Sequence, residues 1–77
     1  MITKTELTEL DFHDIEQYYD YIIESYINGQ HIQSQVLYRN LSVPQQRDFG
    51  DYLVVYEICD DWDMNMTELE FIYFLEE

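Results

Sequence analysis

Charge is the feature that most limits what this chain can fold into. Seventeen aspartates and glutamates stand against three lysines and arginines in 77 residues, a formal net charge of −14. Self-repulsion at that level works against any compact state. The composition nevertheless argues for folding: 47% of the residues are hydrophobic and 17% aromatic, with eight tyrosines, too apolar for a disordered acidic tail. The length suits one small domain spanning 1–77, because a core of this size buries only about 60% of the unfolded chain's surface. An extreme charge balance kept by such a marginal chain implies that the field is used. It repels nucleic acid and anionic membranes and attracts basic surfaces.

The acids are not spread evenly. Residues 1–24 carry seven acids and only Lys4; residues 25–47 carry none, with His31, Arg39 and Arg47; residues 48–77 carry ten acids and no Lys or Arg. Within the first arm, "DFHDIEQYYDYIIES" (11–25) places Glu16, Asp20 and Glu24 four apart with no cation between them. Like charges at i and i+4 are neighbours on a helix and cost about 0.2–0.5 kcal/mol per pair. A chain shaped for stability alone would put a lysine at one of these positions.

Periodicity predicts an all-α fold, a small bundle of three to four short helices. Phe12, Ile15, Tyr19, Ile22, Ile23 and Tyr26 recur at three- and four-residue steps, predicting a first helix over about 9–28. Thr8 or Asp11 can cap it, and Asn28-Gly29 supplies a stop. Gln30 to Asn40 reads as a shorter second helix, with Ile32, Val36 and Leu37 on one face, folded back as an antiparallel hairpin. "SVPQ" (42–45) is a capping box with proline in the first turn and starts a third helix running to about Cys59. Its inner face is Phe49, Tyr52, Leu53, Tyr56 and Cys59, while Val54, Val55 and Ile58 fall elsewhere and suggest a shared surface. YLVVYEIC also suits a strand; the capping box favours helix. Asn65 with Glu68 forms a further capping box before a last helix driven by Leu69, Ile72 and Phe71 or Leu75.

Chemistry-bearing motifs are sparse. Asp61, Asp63 and Asn65 alternate like calcium-loop ligands, but Met66 and Ile72 stand where the pattern needs Gly and a bidentate Glu. His13, His31 and Cys59 lack metal-ligand spacing, and no metal or other cofactor is expected. The histidines read as surface polar residues and Cys59 as a small core residue. No serine or cysteine sits in a nucleophile elbow, and only Gly29 and Gly50 occur, so there is no phosphate loop. A non-enzyme is expected. The lone cysteine excludes an internal disulfide and points to a reducing compartment. The opening MITKTELTEL lacks a signal peptide's apolar core and no apolar run exceeds five residues, so a cytosolic protein is expected.

The candidate partner-binding residues lie in the two acidic arms. The first arm offers Asp14, Glu16, Asp20 and Glu24, with Tyr18 and Tyr21 pointing outward beside Asp14. Tyrosine supplies contact area at low entropic cost and stacks with arginine. The second arm offers Asp60, Asp61 and Asp63. A compact chain of this length has a radius of gyration near 11–12 Å and spans roughly 30 Å. Duplex DNA of that length carries about 18 phosphate charges, one per 1.7 Å, close to the seventeen carboxylates here. The unpaired ladder reads as an imitation of a phosphate backbone.

In size, charge and acidic, tyrosine-rich helices the chain resembles the small DNA-mimic proteins of bacteriophages and mobile elements that block host defence, the anti-restriction and anti-CRISPR class. The residues carrying the resemblance are Asp14, Glu16, Asp20 and Glu24 in the first arm and Asp48, Asp51, Glu57, Asp60, Asp61 and Asp63 in the second. The stretch "INGQHIQSQVLYRNLSVPQQRDF" is also similar to short helical phage proteins of unassigned role. The class has no shared motif, differs in fold, and transfers no residue-level roles. The resemblance implies an inhibitor acting in an infected bacterial host on the basic, nucleic-acid-binding surface of a defence complex, without itself binding nucleic acid or membrane. The alternative is an acidic regulatory module docking a partner through the apolar third helix. Surplus apolar surface on Val54, Val55, Ile58, Phe71, Tyr73 and Phe74 suggests a homodimer through the third or fourth helix.

Overall fold

The computed structural model describes residues 1–77 as an all-helical bundle. Its elements are α1 (Lys4–Glu9), α2 (Ile15–Ile27), α3 (His31–Arg39), α4 (Val43–Val55), α5 (Ile58–Asp61) and α6 (Glu68–Glu76). The first helix expected over about 9–28 is α2 alone, starting six residues later, and a short helix the periodicity did not predict, α1, precedes it. Thr3 caps α1 through a box with Glu6, and α2 starts only at Ile15, where the Asp14 carboxylate accepts the Gln17 amide at 3.0 Å. The break lies at Asp11, held at φ 68°. Around it the Asp11 and Phe12 amides donate to the carbonyls of Thr8 and Leu7 at 3.1 and 2.8 Å, a Schellman closure with aspartate in the glycine position.

Gly29, at φ 83°, closes α2 in the same way, its amide donating to Tyr26 and that of Gln30 to Ser25. Three residues, Asn28 to Gln30, separate α2 from α3. The two run antiparallel, as the hydrogen bonds between them show: Gln33 Nε2 donates to the Ser25 hydroxyl at 2.9 Å near the turn, and the Tyr18 hydroxyl to the Leu37 carbonyl at 2.8 Å further out.

Ser42 and Gln45 form the expected capping box of α4. Gln45 does more than cap. Its Oε1 accepts the amides of Ser42 and Ile2 at 2.9 and 3.0 Å, and its Nε2 donates to the Ile2 carbonyl at 2.7 Å, pinning the segment before α1 to the start of α4.

The chain from 52 to 59 is neither a strand nor one helix. α4 stops at Val55, Glu57 turns left-handed at φ 48° and ψ 48°, and α5 adds a single turn. The turn reverses two assignments. Ile58 is drawn into the core beside Cys59, while Tyr56, expected inside, is exposed. Val54 and Val55 stay outside at 62% and 71% exposure.

α6 begins two residues later than expected, because Asn65 sits at φ 56° and an N-cap needs extended backbone. Thr67, at φ −85° and ψ 162°, forms the box with Glu70 instead. Phe71 and Leu75 then enter the core, and Leu69 points to solvent.

One cluster of fourteen buried residues runs from Ile2 to Leu75, with Tyr19, Ile22, Ile23, Phe49, Leu53 and Phe71 at its centre. Every buried side-chain nitrogen and oxygen has a hydrogen-bond partner. The body measures 34 × 24 × 21 Å, and no helix is long and apolar enough to cross a membrane.

Glu57 is the least suited of the left-handed residues, since a long side chain gains no local hydrogen bond there and an L-residue pays about 1–2 kcal/mol for the conformation. Glu57→Asn should therefore stabilise the protein by about 0.5–1 kcal/mol and raise the thermal midpoint by a few degrees. Glu57→Val should lower it. Thermal unfolding followed by circular dichroism checks both.

Candidate functional site

The acidic face of α2 begins with how the helix is seated. Tyr19, Ile22 and Ile23 bury its inner side, leaving Glu16 and Glu24 exposed and Asp20 half-buried. Asp20 has a partner: its Oδ1 accepts the Tyr52 hydroxyl of α4 at 2.6 Å. A reciprocal bond runs beside it, from the Tyr19 hydroxyl of α2 to Asp48 Oδ2 of α4 at 2.8 Å, with the Gln45 carbonyl at 3.2 Å. The two rings lie 5.6 Å apart, and Tyr19 meets Phe49 edge-on at 5.2 Å. Where most chains would set a lysine against each carboxylate, this one sets a phenol. The hydrogen bond to an ionised acceptor is retained, and the negative charge is left unneutralised.

These phenols are held protonated. Burial, then the hydrogen bond and charge of Asp48, with Glu16 nearby, raises Tyr19 far above the usual phenol range. Burial, then Asp20 and Glu16, does the same to Tyr52. Tyr18 and Tyr38 are pushed up to about 12, chiefly by burial. The carboxylates of the seam therefore come from two helices: Glu16 and Asp20 from α2, Asp48 from α4. Asp48, named among the acids of the second arm, is absent from the partner-binding candidates drawn from sequence. Its signal was the Asp48–Tyr52 pair at i and i+4, facing the adjacent Tyr19–Asp20.

Beside this seam lies a shallow, open depression lined by Asp11, Phe12, Gln17, Asp20, Tyr21 and Glu24. The left-handed turn at Asp11 brings Phe12 over α2, where its ring lies 5.8 Å from that of Tyr21. Carboxylates around aromatic rings suit a guanidinium or ammonium group, by ion pairing and by cation–π contact. Of the first-arm candidates, Asp20, Tyr21 and Glu24 meet here, and Glu16 belongs to the seam. Asp14 is exposed but occupied as the cap of α2. Tyr18 does not point outward. It is 1% exposed, bonded to the Leu37 carbonyl and packed edge-on against Phe12, so it is a core residue. The periodicity misplaces it because α3, folded back over α2, covers a wider arc than the aliphatic stripe defines.

Asp60 and Asp61 lie on α5 and Asp63 at its left-handed end, all exposed. The Asp63 and Met64 amides close α5 onto Asp60 and Cys59 at 3.1 and 2.9 Å, again a Schellman closure without glycine. The second acidic group gathers around Cys59, whose thiol is pushed up to about 11 by burial, then by Glu68, Asp60 and Glu70. A buried thiol of that kind is inert. His13 and His31 are exposed, and His31 stacks on Tyr26 at 4.6 Å.

The raised phenols set a pH limit on the fold. A tyrosine whose folded pKa lies above its unfolded value of about 10 adds stability fully below pH 10 and loses it as pH climbs through the folded value. The protein should keep at least four phenols protonated beyond pH 10 and lose helix between about pH 10 and 12, with late tyrosinate absorbance appearing alongside the loss. Ionisation of all eight before any loss of ellipticity would contradict this. Compared with protein-family models, curated proteins and solved structures, the chain matches none.

Proposed function

We propose that this chain is a non-enzymatic, phage-encoded inhibitor that occupies the nucleic-acid-binding groove of a bacterial defence complex, of the anti-restriction or anti-CRISPR kind, by offering carboxylates where DNA offers phosphates. The observation supporting the reading is that all acids except Asp20 and Glu68 are exposed, and those two partly buried, on a body 34 Å long. Seventeen carboxylates over 34 Å amount to one per about 2 Å, beside one phosphate charge per about 1.7 Å of duplex. The phenol bonds of the α2–α4 seam add to this, because they fix Asp20 and Asp48 without cancelling their charge.

In this reading the lysines and arginines that hold a phosphate backbone pair instead with Glu16, Asp20, Glu24 and Asp48. An arginine seats in the depression against Tyr21, and Asp60, Asp61 and Asp63 make a second contact. Such complexes form fast at low ionic strength and weaken with salt. The alternative, a regulatory module docking through an apolar helix, is favoured by the exposure of Val54 and Val55; buried Ile58 takes no part in it.

The test is competition for a purified nucleic-acid-binding defence complex. Duplex binding should fall as this protein is added at low salt; unchanged duplex binding would sink the mimicry. Glu16→Gln with Glu24→Gln is the cleaner variant of the ladder, because Asp20 also anchors Tyr52. Each substitution removes one member of a charged pair, which costs about 2–5 kcal/mol where the pair is buried in the interface and under about 1 kcal/mol where it is exposed, so inhibition should weaken at least about tenfold if either pair is buried. The isolated variant should be as stable as the parent or slightly more so, because a like-charge neighbour of Asp20 is removed on each side. Asp60, Asp61 and Asp63 to Asn reports on the second group. Full inhibition by both variants, with loss on Val54→Asp and Val55→Asp, would favour the docking module.

A further inference from the structure

α3 packs on α2 along one side and reaches α6 along another, where Gln35 Nε2 donates to the Phe74 carbonyl at 2.9 Å. Ser34 and Tyr38 form its buried stripe. The opposite stripe is uncovered. Ile32 is 77% exposed and Val36 45%, Arg39 continues the line, and Ile27 and Val43 stand exposed at its two ends. All of these lie within residues 25–47, the stretch without a single acid.

We infer that the Ile32–Val36–Arg39 face of α3 is the surface on which two copies of this chain associate, packed antiparallel about a two-fold axis. Charge selects both the face and the occupant. Each copy carries −14, so a second copy is repelled wherever carboxylates meet carboxylates. The other exposed apolar groups are bounded by acids: Val54, Val55 and Tyr56 by Asp51 and Glu57, and Leu69 and Tyr73 by Glu68, Glu70 and Glu76. A two-fold contact sets a surface against itself, so it would double those repulsions, whereas α3 carries no acid and only Glu24, one turn before Ile27 on α2, borders its face.

An antiparallel pairing also moves each Arg39 away from its counterpart, to the opposite end of the other copy's α3. A stable interface takes about 800 Å² from each partner, roughly one-sixth of the 5137 Å² surface, so the pairing must draw in the exposed Ile27 and Val43 at the ends of the stripe as well as α3 itself. The two α2 faces are left uncovered, which keeps this inference independent of the inhibitor reading.

Sedimentation equilibrium at high micromolar concentration should give a mass approaching twice 9.5 kDa, with the dimer tightening several-fold as sodium chloride screens the remaining repulsion. Ile32→Asp with Val36→Asp should return it to a monomer with unchanged helical signal, and Val54→Asp with Val55→Asp should leave it dimeric. To guard against misfolding of the first variant, Val36→Cys should form an intermolecular disulfide under oxidising conditions and Val54→Cys should not, the native Cys59 being buried. A parent that stays monomeric throughout would overturn the inference. So would a mass that climbs past the dimer, a dimer lost only on substitution at Val54 and Val55, or equal cross-linking from both cysteine variants.

Discussion

Two reciprocal hydrogen bonds between α2 and α4, Tyr19 to Asp48 and Tyr52 to Asp20, are the contacts on which the rest of the molecule depends. A chain with seventeen acids and three basic side chains has no lysine to spare for each carboxylate at a helix contact. The phenol solves this with a neutral donor that also brings an aromatic ring into the core. The same logic recurs where Tyr38 reaches Glu76 at 3.3 Å. Tyrosine here performs the pairing that lysine performs elsewhere, with the difference that the surface stays anionic.

The backbone accommodates charge in a similar way. Asp11, Glu57, Asp63 and Asn65 adopt left-handed conformations that glycine would take without strain, and only Gly29 is a glycine in such a seat. Three of those four residues are acids, and Asp11 and Asp63 close helices at ends where negative charge is unfavourable. Backbone strain and dipole repulsion are thus accepted at the same positions. A protein under selection for stability alone would hold Gly or Asn there. Acid retained at such positions fits a surface whose value lies in its charge.

The molecule is consequently two-sided. Acids cover the α2–α4 seam and the α5–α6 end, while α3 and the start of α4 carry Arg39, Arg47 and exposed aliphatic residues. A uniformly acidic sphere repels every copy of itself. A two-sided one leaves an acid-free stretch over residues 25–47 where that repulsion is weakest.

Helical class, the α2–α3 hairpin and the start of α4 were legible in the sequence because each rests on local chemistry: the 3.6-residue apolar period, Gly29 as a stop, Ser42 with Gln45 as a cap. The boundaries at Asp11, Glu57 and Thr67 were not. They depend on left-handed residues that are not glycine, Asp11, Glu57 and Asn65, and the turns these make lead into the packing of Phe12, Ile58 and Phe71. The candidate surface divides along the same line. That Glu16 and Glu24 stand uncovered follows from their spacing against the aliphatic stripe of α2. That Tyr18 is core, that Asp20 is bonded, and that Asp48 joins the ladder were decided by which helix folds back on which, since a side chain's exposure belongs to its neighbours in space and a single helix period describes only its own axis.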